Sequence, residues 1–445
     1  MKIEGDDMAT EPINANPTKR LVAYVLTKDV RLDDAILDLI DNSIDGARRL
    51  SSGNLTGREV RVHLSKDAFK IEDNCGGIPY DLARDYAFRF GRPEDYIPLA
   101  GPAETIGNFG VGMKRALLKM GRNIKVVSRT STRYFEIIID VEKWMGEPDW
   151  TFQFSKVKDE VARPSEIGTS ITVTGLYPGV AEQFGLKQFN VNLGLAIEQK
   201  QAIPMLEGFT VKLNGDPLNG ALLLLKQSKD IAPIHIELTL VNEKSEQCRL
   251  QVFAGIDEPD NDRAGWYVVC NGRTVLRADR TALTGWGNKY DGDRIPSYHH
   301  QYARFRGFVM FHSDKPDSLP WNTAKSGVDV EHAFYRRALQ LMVQAMKDVF
   351  GFLNRVDRES DAADQPLTEA LTKMKAVPLK KVALSKTFTV KVKTTPVAQK
   401  TAMKIIRYKK PAAQVEGVMA ALGVDDPNLA GEGTFDLYYE INVAE

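Results

Sequence analysis

From residue 29 to 50 apolar residues recur at helical spacing, with Leu32, Ala35, Ile36, Leu39, Ile40 and Ala47 on one broad face. Asp34, Asp38, Asp41, Asn42 and Asp45 fall on the opposite face. The pattern then changes to alternation. Val60, Val62 and Leu64 alternate, residues 65–67 turn, and Phe69 and Ile71 resume, which predicts a hairpin. Residues 91–110 are rich in Gly and Pro and predict a long loop, after which residues 112–119 open a helix. Strand patterns follow at 124–128, 134–140, 151–154 and 170–174. This succession predicts an α/β (α+β) sandwich through about residue 178.

A second α/β unit is expected over 190–355, with strand patterns at 210–213, 235–241, 249–254, 265–269 and 307–311 and a closing helix near 330–355. Residues 1–17 read as a flexible arm and 356–372 as a polar linker. Residues 373–445 read as a small basic C-terminal module: 373–410 holds twelve Lys or Arg and no Asp or Glu. A helix at 412–422 and a strand-like stretch at 435–443 complete it.

Composition changes this picture little. The formal net charge is zero, so any nucleic-acid or membrane surface must be local. No apolar run approaches the roughly 20 residues that span a bilayer, and the polar N-terminus lacks a signal core. Cys75, Cys248 and Cys270 are far apart and form no CxxC pair. The expectation is a cytoplasmic, reduced protein without a zinc site or a membrane partner.

Four short motifs carry chemistry: DLIDN (38–42), EDNCGGIP (72–79), IGNFGVGMK (106–114) and GTSI (168–171). Asn42 lies one helical turn after Asp38. An amide oxygen beside phosphate oxygens suits Mg²⁺, a hard cation that keeps several waters. A carboxylate one turn away can orient or deprotonate a water aimed at a γ-phosphate. A solvated acidic face is the plain alternative. Asp73, after a strand, can accept from an exocyclic amine such as adenine N6, and Gly76 and Gly77 allow close approach to a flat base. The same residues also suit an ordinary turn. Gly107, Gly110 and Gly112 lead into a helix, where exposed amides make an anion site. The loop before them is long enough to act as a lid. Thr169 starts a strand from which its hydroxyl can reach the base beside Asp73.

Taken in this order, the motifs resemble the GHKL ATPases, the superfamily of gyrase B subunits, heat-shock chaperones, histidine kinases and MutL. The closest likeness is to prokaryotic MORC-like proteins, and the strong part covers about residues 18–178. The resemblance implies a Bergerat-type ATPase sandwich that binds ATP and Mg²⁺. Asn42 would hold the metal, Asp73 the adenine amine, and Thr169 would support the base. Gly77 and Ile78 would lie beside the base. Gly107, Phe109, Gly110, Val111, Gly112, Met113 and Lys114 would complete the nucleotide-binding set. Asp38 would be the catalytic carboxylate. The family usually has Glu at that place, so hydrolysis is expected to be slow. Cys75 replaces the family's first glycine and is expected to pack inward. GWYVVCNGR (265–273) and SLPWNTAKSGVD (318–329) resemble the transducer domain that follows in gyrase, MutL and MORC proteins. There Lys325 is the candidate to reach the γ-phosphate, with a plain surface lysine as the alternative.

The function this implies is an ATP-gated dimerising clamp or switch. The arm would cross to a second copy, and DNA would bind through residues 373–410 or the chain would serve in an antiviral complex. That basic segment also suits a solvated linker. A chaperone-like remodelling ATPase with unknown protein partners is the alternative, as is an ATP-binding switch with little hydrolysis. A histidine kinase is disfavoured because the first histidine, His63, falls in a strand pattern. A topoisomerase subunit is disfavoured because no catalytic tyrosine domain follows.

Overall fold

In the computed structural model, which describes residues 13–51, 54–91, 104–107, 110–290, 293–359, 364–392 and 406–443, the alternating stretch forms an antiparallel hairpin. Strands β1 (Glu59–Leu64) and β2 (Ala68–Asp73) pair with Val60 opposite Asp73. β3 (Gly121–Arg129), β4 (Arg133–Asp140), β5 (Phe154–Asp159) and β6 (Gly168–Leu176) join them, and β7 (Thr210–Leu213) and β8 (Asp216–Pro217) extend the edge. The order is β5-β4-β3-β6-β2-β1-β7-β8. Every pairing is antiparallel except β1 with β7. Helix α1 (Leu32–Leu50) shares the core of this sheet: Ile36, Leu39 and Ile40 are buried with Val60, Val62, Ile71, Val126 and Val173. Mixed α/β architecture is thus the fold class.

A second, five-stranded sheet runs in the order Ile234–Val241, Gln247–Ile256, Phe305–His312, Gly265–Cys270, Arg273–Asp279. The helix Ala333–Glu359 packs on it, burying Met342, Met346, Val349 and Leu353. Between Gly265–Cys270 and Arg273–Asp279 the turn is Asn271–Gly272, both at positive φ (45° and 78°). Asn-Gly favours such a turn because both central residues tolerate the left-handed region. This turn puts Asn271 and Arg273 against α1, with Arg48 Nη1 donating to the Asn271 carbonyl at 2.8 Å.

Five expectations change. Thr210–Leu213 belongs to the first sheet, not the second unit, because the helices Lys187–Lys200 and Ala202–Leu206 carry the chain back to β1 in parallel register. Alternation marks a strand without saying which sheet it joins. The strand expected at 151–154 lies instead at Phe154–Asp159. The "linker" includes a second helix, Pro366–Thr372, which buries Leu367 and Leu371. Part of the basic module is built into the larger unit: Lys375–Pro378 pairs with Leu224–Gln227, and Thr389–Val390 with Ile231–Ala232.

The chain divides into Met1–Thr394 and Thr395–Glu445. Within the smaller unit, helices Ala412–Leu422 and Pro427–Asn442 pack together. The stretch expected as a strand at 435–443 falls mainly on the second helix. Pro427 at its first turn and the Asp426 carboxylate accepting from Asn428 N (2.7 Å) start that helix, which overrides the β preference of Tyr and Phe.

Buried Glu359 joins the long helix to the next one: its carboxylate accepts from Leu367 N at 3.0 Å and Thr368 N at 3.1 Å. Replacing Glu359 with Ala orphans those amides and is expected to lower stability by about 1–3 kcal/mol in urea unfolding. An unchanged midpoint would show that this joint carries no load.

Candidate functional site

The site is built around α1. Its carboxylates at 34, 38, 41 and 45 are spaced four, three and four residues apart, so they form one stripe along the helix. All four are buried rather than solvated. Between Asp34 and Ala47 only Asn42 is exposed.

Each carboxylate is partnered, and Asp38 and Asp41 share one cation. Asp34 pairs with Lys200 at 2.6 Å. Asp45 accepts from Ile106 N at 2.7 Å and Gly107 N at 2.6 Å, which fixes the start of the glycine box against α1. Burial pushes the Asp45 carboxyl above its usual range, only partly offset by those two amides. Asp38 is held by Arg115 at 3.3 Å and Lys325 at 3.2 Å. Asp41 is held by Lys325 at 2.8 Å and Gln201 at 2.6 Å, with Arg273 at 3.8 Å. Burial would raise Asp41, but Arg273 and Lys325 outweigh it and hold the carboxyl below its usual range. Burial likewise opposes the charge on Lys325, and Asp38 and Asp41 outweigh it, so its ammonium titrates above its usual range.

A cavity opens on the other side of Asn42. Asn42, Ser43, Gly46, Asp73, Gly77, Ile78, Met113 and Thr169 are among its lining residues. At its floor Asp73 accepts from Ser43 Oγ (2.8 Å), Cys75 N (2.9 Å) and Thr169 N (3.3 Å). Burial raises its carboxyl above the ordinary range, partly offset by the Cys75 amide and the Ser43 hydroxyl. Thr169 stands opposite Asp73 across the β2–β6 register. Gly77 has φ +72°, and a Cβ there would lie 2.4 Å from the Arg129 carbonyl oxygen. Ser128 Oγ pins the neighbouring Ile78 N at 2.7 Å. Cys75 is buried in the core, where a Cβ on Gly46 would come within 2.7 Å of its carbonyl oxygen. The turn and the helix therefore touch backbone to backbone.

The helix Gly112–Met120 begins over Asp38: a Cβ on Gly112 would lie 3.1 Å from Asp38 Oδ2. Val111 precedes it without a side-chain cap, and Gly110 has φ +62°. Lys114 is buried and donates to the Ala87 carbonyl at 2.9 Å. Phe109 and most of the expected lid lie outside the described residues, as does most of the expected N-terminal arm.

Lys325 arrives from the segment between the strand Phe305–His312 and the helix Ala333–Glu359. It sits at φ +51° in a turn closed by Lys325 N to Asn322 O (2.9 Å) and Asn322 N to Gly327 O (3.0 Å). A long side chain held in that sparse region marks a position fixed by its surroundings. Sequence reasoning missed Ser43, Arg115, Gln201 and Arg273. Only Arg273 had a usable signal, in the Asn-Gly turn just before it.

The site thus combines a buried carboxylate facing a strand-borne threonine, a glycine-cradled cavity and an exposed asparagine near a helix N-terminus. Residues 30–169 match the family model described as histidine kinase-, DNA gyrase B-, and HSP90-like ATPase. The match supports a GHKL-type ATPase domain there, with ATP binding and ATPase activity. No curated protein matches the chain. No helix among the described residues is long and apolar enough to cross a membrane.

The donor set fits Mg²⁺ bound with a nucleotide. No cluster of three acidic, His or Cys ligands exists among the described residues, and Asn42 offers one exposed amide oxygen. One protein oxygen plus phosphates and waters is how Mg²⁺ binds when a nucleotide brings it. Asn42→Ala is expected to abolish Mg-dependent nucleotide binding in calorimetry, and intact binding would undo this assignment. An amine donor needs the ionised form of Asp73, so acidification should weaken binding. Because the Asp73 carboxyl is raised, the loss should begin above the ordinary aspartate value of about 4. Asp73→Asn should bind weakly with no such pH step. A wild-type affinity that stays flat through that range would remove Asp73 from the base contact.

Proposed function

We propose that the chain is an ATP-gated switch that closes as a homodimeric clamp, with Asp38 orienting the attacking water and Lys325 reaching the γ-phosphate. The observation that carries this reading is Lys325. It bridges more than 280 residues of sequence, as its bonds to Asp38 and Asp41 span 287 and 284 positions. A cation from the second sheet's side of the molecule thus sits on the carboxylate stripe of α1, the helix whose Asn42 lines the cavity, and from there it would reach in to stabilise a transferring phosphoryl group. Asn42 would hold the metal, and Asp73 and Thr169 would hold the base. The metal would supply charge neutralisation of the phosphates.

Little hydrolysis is favoured as the resting condition. Asp38 Oδ1 is engaged by Lys325 and Oδ2 by Arg115, and the carboxylate is buried, so a water has little access to it until those cations move. Asp38→Ala should lower single-turnover hydrolysis by about 100-fold or more while leaving binding within a few-fold, given the size of general-base contributions. Full activity in that variant would move the base elsewhere.

DNA is the proposed partner of the clamp. Lys373, Lys375, Lys380, Lys381, Lys386 and Lys391 are all exposed. Neutralising phosphates with such residues makes binding steeply salt-dependent. With the non-hydrolysable imido analogue of ATP, the chain should double its mass in light scattering. Its DNA affinity should fall as salt rises, more steeply than that of a variant with these six lysines changed to Gln. A monomer under all conditions would remove the clamp, and equal salt slopes would remove the basic surface.

A further inference from the structure

Asp41 has no part in the roles assigned so far, yet it is the most completely enclosed charge in the site, at 0% exposure. It lies on the carboxylate stripe of α1, between Asp38 and Asp45 and away from the exposed Asn42. Its oxygens serve three groups from three distant segments. Gln201 Nε2 donates to Oδ1 at 2.6 Å, and Lys325 Nζ donates to Oδ2 at 2.8 Å. Arg273 Nη1 stands 3.8 Å from Oδ1, close enough for charge attraction and too far for a hydrogen bond.

Arg273 is itself buried, at 1% exposure. Its Nε and Nη1 have no hydrogen-bond partner among the described residues. A buried guanidinium with two unspent donors is unfavourable, and an approach of about 1 Å to Asp41 would bring it to the roughly 2.8 Å of a charge-assisted bond. While Lys325 stays on Asp41, the carboxylate has little need of that approach. If Lys325 left with no replacement, a buried carboxylate would lose its closest cation, which is strongly unfavourable. The two cations therefore offer alternative closures of one buried acceptor.

We infer that Asp41 is the positioning residue for Lys325, and that its close partner changes from Lys325 to Arg273 when a γ-phosphate draws Lys325 into the nucleotide cavity. This rests on the reading of Lys325 as the γ-phosphate contact. The exchange frees Asp38 Oδ1 in the same step, since Lys325 holds both carboxylates. It also pulls on the Asn271–Gly272 turn. That turn already grips the approach to the glycine box, with Asn271 Nδ2 donating to Thr105 O at 2.8 Å and Arg48 Nη1 donating to both Asn271 O and Glu104 O. Arrival of the phosphate would thereby be felt by the second sheet through Arg273.

Calorimetry on the full chain, with Mg-ADP and with the Mg-bound imido analogue, separates the two readings. Wild type should prefer the analogue, and Lys325→Met should abolish that preference. If Lys325→Met keeps it, the γ-phosphate contact is wrong and the exchange falls with it. Asp41→Asn should leave ADP affinity within about threefold of wild type, reduce the preference for the analogue at least about tenfold, and lower kcat with KM little changed. A merely structural role would weaken ADP and analogue alike. If Lys325→Met loses the preference and Asp41→Asn retains it, Asp41 does not position the lysine. Should Asp41→Asn fail to fold by circular dichroism, Arg273→Met decides. It keeps the Asp41–Lys325 pair but removes the replacement cation, so it should cut the analogue preference by at least about fivefold with ADP binding unchanged. An unchanged preference there overturns the exchange.

Discussion

The larger unit depends on one constraint: a helix that buries four carboxylates must find a partner for each. Leaving one such group unpaired costs several kcal/mol, a large part of the roughly 5–15 kcal/mol by which a domain is stable. The chain meets this from four directions. Lys200 reaches Asp34, the amides of Ile106 and Gly107 reach Asp45, Arg115 reaches Asp38, and Lys325 is shared by Asp38 and Asp41. Each partner belongs to a different segment, so the acidic stripe sets where the glycine box, the crossover helices and the second sheet must sit. Apolar packing holds the opposite face of α1, but it does not choose which segments meet there. The charges do.

The same arrangement accounts for the glycines that matter. Gly112 brings a helix N-terminus onto Asp38, where a Cβ would stand only 3.1 Å from Oδ2, and Gly46 lets α1 lie on the Cys75 carbonyl. An Ala at 46 would meet that carbonyl oxygen at 2.7 Å and force helix and turn apart, whereas one at 112 would press the Asp38 side chain aside. Cys75, in place of a glycine, is tolerated because its side chain turns into the core and leaves the approach to Gly46 and Gly77 open.

Much of this was legible in the sequence, and the limits have physical causes. The α1 pattern, the first hairpin, the strands that became β3, β4 and β6, and the long closing helix all follow from periodicity. The motifs placed Asn42, Asp73, Gly77, Ile78, Met113 and Thr169 around one cavity, and they are among its lining residues. Lys325 could be nominated only through the likeness of residues 318–329 to a transducer loop. Its distance from α1 is a tertiary fact that no spacing encodes. Gln201 was invisible for the same reason, since a buried charge partner carries no periodic signal, and Arg273 was marked only by the Asn-Gly turn before it. The strand at Thr210–Leu213 was recognisable as a strand but not as part of the first sheet, because register across a crossover is fixed by the helices between. The helix at Pro427–Asn442 reversed a strand expectation, since a proline and an aspartate cap outweighed local β preference.

On the proposed reading, binding and hydrolysis are separable in this site. The groups proposed to face a base and a metal, Asp73, Thr169, Gly77 and Asn42, line one cavity on one side of α1. The group that would handle water, Asp38, lies in the buried stripe, its oxygens taken by Arg115 and Lys325. Aspartate is one methylene shorter than the glutamate usual at this place in the GHKL proteins that the motifs resemble, so its oxygens stay close to the helix and within reach of those cations. A longer acid would project further into the cavity and be harder to hold in pairing. In the proposed switch the shorter residue favours a site that fills readily and fires only after its cations rearrange. That proposed exchange would involve Lys325 and Arg273, so nucleotide in a pocket against one sheet would be felt by the other.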